Sequence, residues 1–361
     1  MFLSGLRIDR PPFLKSQTDA LQWLSRAYLR ANPQTTGLDR FLERVACRPP
    51  HIESRAHYSP AFMGAGDAEL FPEVEGHPGA GTKLRMEVFA RESRVMLDQL
   101  LQPTSTLAPH LLHVTCTGYV APSPAELHVL ERGAAAATTV THLYHMGCYA
   151  AIPALRVAQG LTARGQDVDV IHTELCTLHL RPKDPTPERM VIESLFADGG
   201  ATYRLSAQAP DEPHFEVLSV RQELLPDSAG LMAWVISENG MDMSLKKEVP
   251  KHIQLHLRDF QLRWLKELGL SLSEFQASSF AVHPGGPRII DQVKETLELP
   301  EEKLTHSRRV LRERGNMSSA TLPQIWTAML NEIPDGERVF SYAFGPGLTV
   351  AAALLQKRGR P

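Results

Sequence analysis

The chain has 361 residues, 43% of them hydrophobic and 22% charged, and its 38 basic and 41 acidic side chains leave a formal charge of -3. That size and apolar content suffice for a large buried core, as one unit or as two joined halves, and exclude a disordered chain. The near-balance of charge excludes the strongly basic surface of a dedicated nucleic-acid binder.

Met1 to Phe13 carries charges and two prolines where a secretory leader would have a basic cap and an apolar run, so no leader is expected. Gln17 to Arg30 sets Leu21, Leu24, Ala27 and Tyr28 at helical spacing, and Leu38 to Ala46 continues helical until Pro49 and Pro50 stop it. Together they predict an N-terminal helical layer. Residues 58 to 82 are rich in proline and glycine without periodicity and read as a loop region. Met86, Phe89, Ala90, Leu97, Leu100 and Leu101 then mark one face of a long helix. Leu111 to Thr115 reads as a buried strand that feeds a turn at Thr115-Cys116-Thr117-Gly118. The alanine-rich segment after Cys148 reads as a helix and Val168 to Thr173 as a strand, with Gly165 making the tight return between them. Strand, helix, strand in this order predicts a layered α/β arrangement around a buried sheet.

Glu188 to Phe196 reads as a helix that stops at Asp198-Gly199-Gly200. Strands at Ala201 to Leu205 and Phe215 to Arg221 follow, then an irregular segment with Pro226, Ser228 and Gly230. Leu255, Leu257, Phe260, Trp264, Leu265 and Leu268 predict a second long helix, and Ser278 to Val282 a strand ending at His283-Pro284-Gly285-Gly286-Pro287. Pro287 suits the first turn of a helix running to Leu297, and Val339 to Ala343 reads as a strand entering Phe344-Gly345-Pro346-Gly347. The second half thus repeats the order of the first. No run of about 18 apolar residues occurs, so no membrane span is expected.

Cys47, Cys116, Cys148 and Cys176 are too widely spaced for a disulfide framework or a CxxC metal site and imply a reducing, cytoplasmic compartment. Cys148 stands apart because it follows Gly147 and opens the predicted helix. There, unpaired N–H groups and the positive end of the helix dipole favour thiolate over thiol, and so a nucleophile. An isolated cysteine in such a place is ordinarily a packing residue. His142, His145 and Cys148 recur three apart, a spacing that suits metal ligands on a helix. Gly147 interrupts that helix and no fourth ligand is near, so no metal is expected.

Three stretches resemble the chalcone synthase-like type III polyketide synthases, a branch of the thiolase-fold condensing enzymes, in their order and separations. They are Met146-Gly147-Cys148-Tyr149-Ala150, His283-Pro284-Gly285-Gly286-Pro287 and Gly315-Asn316-Met317-Ser318-Ser319-Ala320. Supporting matches lie at Leu195-Phe196-Ala197-Asp198-Gly199, from Thr117-Gly118 through Pro122, and at Phe344-Gly345-Pro346-Gly347-Leu348-Thr349-Val350, so the resemblance spans residues 40 to 355. The surroundings of Cys148, from His142 through Arg156, are most similar to the bacterial alkylresorcinol and alkylpyrone synthases that use long acyl starters. The resemblance implies a thiolase-like, five-layered αβαβα fold built from two pseudo-duplicated halves. Residues 1–215 would carry the nucleophilic cysteine and 216–361 the catalytic histidine and asparagine, usually in a homodimer.

By that resemblance Cys148 would take an acyl chain from a thioester, an exchange between like sulfurs that costs little. His283 would pair with Cys148 and donate to the substrate carbonyl. Asn316 would be a neutral donor beside His283, and the two would hold the enolate oxygen formed when a malonyl unit loses carbon dioxide. Phe196 would be an aromatic gatekeeper between coenzyme tunnel and cavity. Met243 falls where plant relatives carry a second aromatic gatekeeper and Trp234 where they often carry a small residue, which argues against plant-type aromatic starters. Cys116, Thr117, Ala121, Cys176 and His179 would line the same cavity. Arg55, with Arg44 and Arg48 near it, would contact the phosphopantetheine arm or a carrier protein. The substrates implied are acyl and malonyl thioesters of coenzyme A or phosphopantetheine, with an acyl carrier protein as a candidate partner and neither metal nor redox cofactor.

The activity implied is decarboxylative Claisen extension of a long acyl starter to an alkylpyrone or alkylresorcinol. A stand-alone ketosynthase that joins two carrier-bound β-ketoacyl chains into an α-pyrone uses the same triad and is the alternative. A catalytically silent subunit would have lost its cysteine. A cysteine hydrolase fits the Asn316-Met317-Ser318-Ser319 context and the HPGG turn less well.

Overall fold

The computed structural model describes residues 1–60, 69–102, 106–183 and 185–359. The first half runs β1 (Phe2–Ile8), β2 (Phe13–Ser16), α1 (Gln17–Ala31), α2 (Leu38–Val45), β3 (Ser54–His57), α3 (Thr82–Leu100), β4 (His110–Thr115), α4 (Pro124–Glu131), β5 (Thr139–Tyr144), α5 (Ala151–Thr162), β6 (Val168–Leu175), α6 (Pro187–Leu195) and β7 (Asp198–Ser206). The second half runs β8 (His214–Leu224), β9 (Met232–Ser237), β10 (Gly240–Leu245), α7 (Val249–Leu268), α8 (Leu272–Ala277), β11 (Ser279–Val282), α9 (Pro287–Thr296), α10 (Thr305–Arg314), α11 (Thr321–Glu332), β12 (Arg338–Gly345) and β13 (Thr349–Arg358).

Nine strands form one sheet in the order β11-β12-β13-β8-β1-β7-β6-β4-β5. In the first half β4 lies parallel to β5 and β6, β6 antiparallel to β7, and β7 antiparallel to β1. In the second, β11 lies parallel to β12, β12 antiparallel to β13, and β13 antiparallel to β8. The two halves therefore repeat one pattern of strand directions. Strand β1 joins them, pairing along β7 and, at Phe2 and Leu3, with β8.

Alternation along the strands explains the layers. Leu112 and Val114 of β4, Val168 and Val170 of β6, and Ala351, Ala353 and Leu355 of β13 share one core with Ala151, Leu155 and Ala158 of α5 and Leu322, Ile325, Trp326 and Met329 of α11. The alternate residues turn outward. Leu111, Ile171 and Leu175 pack with α1 and α3, while Phe340, Tyr342, Phe344 and Leu354 pack with α7 and α9. Helices α5 and α11 thus form a central layer between the two halves of the sheet, and further helices cover each outer face, giving the thiolase-like αβαβα arrangement. Small residues such as Ala343, Ala351 and Ala353 let the inner helices approach the sheet closely.

Strands β1, β2 and β3 precede or interrupt the expected N-terminal helical layer, and Met1 to Phe13 is mostly strand. The expected loop region 58–82 gives way to α3 at Thr82, and its residues 61–68 lie outside the described residues. The irregular segment at 226–230 leads into the β9–β10 hairpin, which the sequence reading omitted along with α4, β5, α10, α11 and β13. Among the described residues no helix is long and apolar enough to cross a membrane.

Candidate active site

The site gathers at the carboxyl ends of the sheet strands, where α/β folds commonly place ligands. Cys116 and Thr117 follow β4, Cys176 follows β6, His283 follows β11 and Pro346 follows β12. Cys148 stands three residues before α5, and Asn316 and Ser318 stand just before α11, so the two inner helices present their N-terminal approaches from opposite halves.

Gly147 fixes the approach to Cys148. Its φ of 83° is left-handed, and a Cβ there would come within 2.8 Å of Pro346 Cδ. Its N–H donates to Cys116 Sγ at 2.9 Å. Cys148 Sγ lies 3.9 Å from Ser318 Oγ. The Ser318 N–H donates to Asn316 Oδ1 at 2.9 Å, which turns the Asn316 Nδ2 donor the other way; that nitrogen is buried with no acceptor at bonding distance. His283 is 1% exposed, its N–H bonds the Tyr342 carbonyl at 2.8 Å, and both of its ring nitrogens are buried without a partner.

Burial governs the ionisation of these groups. It pushes the Cys148 thiol up to about 12, against the pull of the Ser318 hydroxyl and Asn316 amide, and it pushes His283 down to about 3. The expected thiolate preference from the helix terminus is therefore outweighed in the isolated group: α5 starts only at Ala151, and the buried Glu174 adds like-charge repulsion. Burial opposes a lone thiolate and a lone imidazolium alike.

A cavity beside Cys148 is lined by Cys116, Thr117, Cys176, His179, Phe196, Trp234 and Met243, seven of the eight residues expected there, together with Ser318. Ala121 does not line it and is exposed. His283 and Asn316 are not on its wall either; Asn316 reaches it through Ser318. His179 and Trp234 present rings and no free polar atom. His179 Nε2 donates to the Thr117 carbonyl (2.8 Å) while Nδ1 accepts from Met241 N–H (3.1 Å), and Trp234 Nε1 donates to the Cys116 carbonyl (2.6 Å).

Arg55, expected at the coenzyme, is fully buried and its guanidinium is spent inside the protein. Nε donates to Gln17 Oε1 (2.8 Å), and Nη1 donates to the carbonyls of Glu193 and Phe196 (both 2.7 Å). It holds the Phe196 backbone rather than offering a surface charge. Arg44 and Arg48 lie nearer the surface, with Arg48 3.9 Å from Glu43. His142 and His145 turn to different partners, Ser123 Oγ (3.0 Å) and the Trp234 carbonyl (2.6 Å).

Glu174, absent from the sequence reading, organises the floor of the site. Its carboxylate accepts from Cys116 N–H (3.0 Å), Thr117 Oγ1 (2.9 Å) and Ser319 Oγ (2.5 Å), tying the turns of both halves to β6. Burial raises its pKa while those donors lower it. The fully buried strand Val168–Leu175 alternates in no way that would have singled it out. A buried thiol, an imidazole, an outward amide donor and an adjoining largely apolar cavity can together carry an acyl group on sulfur and steady a developing oxyanion.

Residues 83–209 match the family model of chalcone and stilbene synthases, N-terminal domain, and residues 216–358 match that of the C-terminal domain. Among solved structures, the chain resembles PKS-I from the brown alga Ectocarpus siliculosus, with a TM-score of 0.84 at 23% identity over 99% of this chain and 98% of the other. It also resembles the C-terminal type III polyketide synthase domain of Steely1 from Dictyostelium (0.84, 21%, over 99% of each chain). The third is 1,3,6,8-tetrahydroxynaphthalene synthase from Streptomyces coelicolor (0.83, 20%, over 100% of each). At these identities the likeness is one of fold.

Proposed function

Since the chain belongs to the chalcone and stilbene synthase family of type III polyketide synthases, we propose that it condenses an aliphatic acyl thioester with malonyl units through Cys148, His283 and Asn316. The Cys148 sulfur gives its proton to His283 and attacks the acyl thioester carbon; the tetrahedral adduct collapses, the C–S bond to the original thiol breaks, and His283 returns the proton to the departing sulfur. The malonyl thioester then loses carbon dioxide, and its enolate oxygen takes hydrogen bonds from His283 and Asn316. The enolate carbon attacks the Cys148-bound acyl carbon, the sulfur leaves, and the chain is two carbons longer.

The observation that carries this reading is the buried, unpartnered Asn316 Nδ2 and His283 ring, donors that an enolate oxygen would satisfy. Met232, Met241 and Met243 on the cavity wall adapt to a flexible aliphatic chain, which supports a long acyl starter and an alkylpyrone or alkylresorcinol product. We take the working form to be a cytoplasmic homodimer that accepts coenzyme A thioesters or carrier-bound ones. The test offers the purified protein long-chain acyl-CoA with malonyl-CoA and, separately, two carrier-bound β-ketoacyl chains. A pyrone or resorcinol from the first mixture is expected. Product from the second mixture alone would replace this reading with the joining of two finished chains.

A further inference from the structure

Most polar side chains on the cavity wall are committed to protein partners. Thr117 Oγ1 donates to Glu174 (2.9 Å) and accepts from Leu175 N–H (2.8 Å). Glu193 accepts from the Tyr28 hydroxyl (2.5 Å) and the Arg181 N–H (2.7 Å). His179 and Trp234 have spent their ring donors, as above. Arg189 differs. Its Nη2 donates to Asp242 Oδ1 at 2.9 Å, yet its Nε–H is buried with no acceptor. Asp242 is itself divided, since its other oxygen takes Arg181 Nη1 at 2.7 Å. Apart from Asp242 and Glu193, both already taken by protein donors, this side of the wall is mainly apolar, with Leu180, Ile192, Phe196, Met232, Met241 and Met243.

The Asp242 pair compensates the charge, but a buried N–H without an acceptor on a cavity wall is costly unless a ligand completes it. A guanidinium is completed best by a carboxylate, whose two oxygens match its fork. We propose that Arg189 anchors a carboxylate at the far end of the acyl chain, so that the preferred starter is an ω-carboxyacyl thioester. This rests on the reading that the thioester end reacts at Cys148. The carboxylate of the extender is the other source of the same chemistry. An ion pair on that group would stabilise the carboxylate that must leave as carbon dioxide, and so would slow the step.

The test measures binding by calorimetry to the full chain carrying Cys148→Ala, using octanoyl, suberoyl and malonyl N-acetylcysteamine thioesters. Suberoyl is expected to bind about ten-fold tighter than octanoyl, a gap of the size one well-made guanidinium–carboxylate contact supplies. Adding Arg189→Met should erase that gap while octanoyl and malonyl affinities stay unchanged. Equal binding of suberoyl and octanoyl before Arg189→Met, or a gap that survives it, overturns the proposal. So does a loss confined to malonyl, which would assign the carboxylate to the extender. If Arg189→Met fails to fold, Asp242→Asn serves: freeing Arg189 from its shared partner should widen the suberoyl advantage, and a narrower or unchanged one counts against the anchor. Acylation of the wild-type protein is followed in parallel by mass spectrometry. Selective suberoyl binding without acylation of Cys148 would sink the condensing reading and leave the anchor standing.

Discussion

Phe196 and Asn316 run side by side across a short parallel bridge, in which Asn316 N–H donates to the Leu195 carbonyl (2.9 Å) and Ala197 N–H to the Asn316 carbonyl (2.8 Å). Phe196 of one half, on the cavity wall, and the Asn316 amide of the other are thus held by one backbone bridge. Arg55 grips that backbone through the Phe196 carbonyl.

Arg55→Lys keeps a charge but loses the fork that reaches Gln17, Glu193 and Phe196 together. Buried acceptors left unpaired should cost about 3 kcal/mol, a fall of several degrees in thermal melting. Because the side chain is buried, acyl-CoA and acyl N-acetylcysteamine thioesters should lose loading rate in equal proportion. A loss confined to acyl-CoA would mean that Arg55 meets the coenzyme after all.

The Asn316 amide is oriented by Ser318 N–H on Oδ1, leaving Nδ2 buried on the Cys148 side without a full hydrogen bond. Asn316→Asp presents an acceptor in its place, and Asn316→Ala presents nothing. Both should leave acylation of Cys148 within a few-fold of wild type and reduce release of carbon dioxide from malonyl-CoA by about 100-fold or more. Labelled carbon dioxide and the acylated peptide, measured on the same samples, separate the two steps. Equal losses in both would assign Asn316 to shaping Cys148 instead.

The strand-and-turn grammar was legible because β4, β11 and β12 are short apolar runs that lead into glycine or proline turns, with His283 at the end of β11, whereas Cys148 and Asn316 stand in the turns before the inner helices α5 and α11. Their burial and the satisfaction of their neighbours were not legible. The β9–β10 hairpin escaped notice because its inner residues are methionines and a tryptophan turned to a cavity, so Met-Ala-Trp-Val-Ile-Ser alternates poorly. Arg55 misled because an arginine beside exposed ones suggests a surface, and only tertiary contacts show it enclosed. Ala121 is expected at the cavity from the family resemblance only, and its turn carries it to the exterior. Glu174 and Arg189 gave no local signal, since their importance lies in partners far along the chain.

Gly147 joins the two turns that meet over Cys148. Gly147→Ala puts a side chain at a φ of 83° and 2.8 Å from Pro346 Cδ, so either turn must shift. The backbone conformation alone should cost about 1 to 2 kcal/mol. Displacement of Cys148 should lower its acylation rate well beyond what that loss of stability explains. Comparing acylation at a temperature where both proteins are fully folded checks the point, and an unchanged rate there would show that the turn serves folding only.

His283→Ala isolates the effect of burial on Cys148. With no imidazole to take its proton, the thiol has a pKa raised toward about 12, so at neutral pH it is protonated and its thiolate fraction grows about ten-fold for each pH step upward. Alkylation of Cys148 by iodoacetamide, followed on its tryptic peptide, should therefore climb in this variant from about pH 7 to pH 9 without levelling. The wild type should react faster at pH 7 and depend less on pH, because transfer to His283 replaces the lone buried anion with an opposite-charge pair. Because burial holds the His283 pKa down to about 3, the imidazole stays neutral and able to take the proton down to about pH 4, so the wild-type advantage should persist from pH 7 to that point. A plateau below pH 9 in His283→Ala would show that something other than the imidazole stabilises the thiolate. The Asn316 amide, already drawn toward Cys148, would then be the residue to remove next.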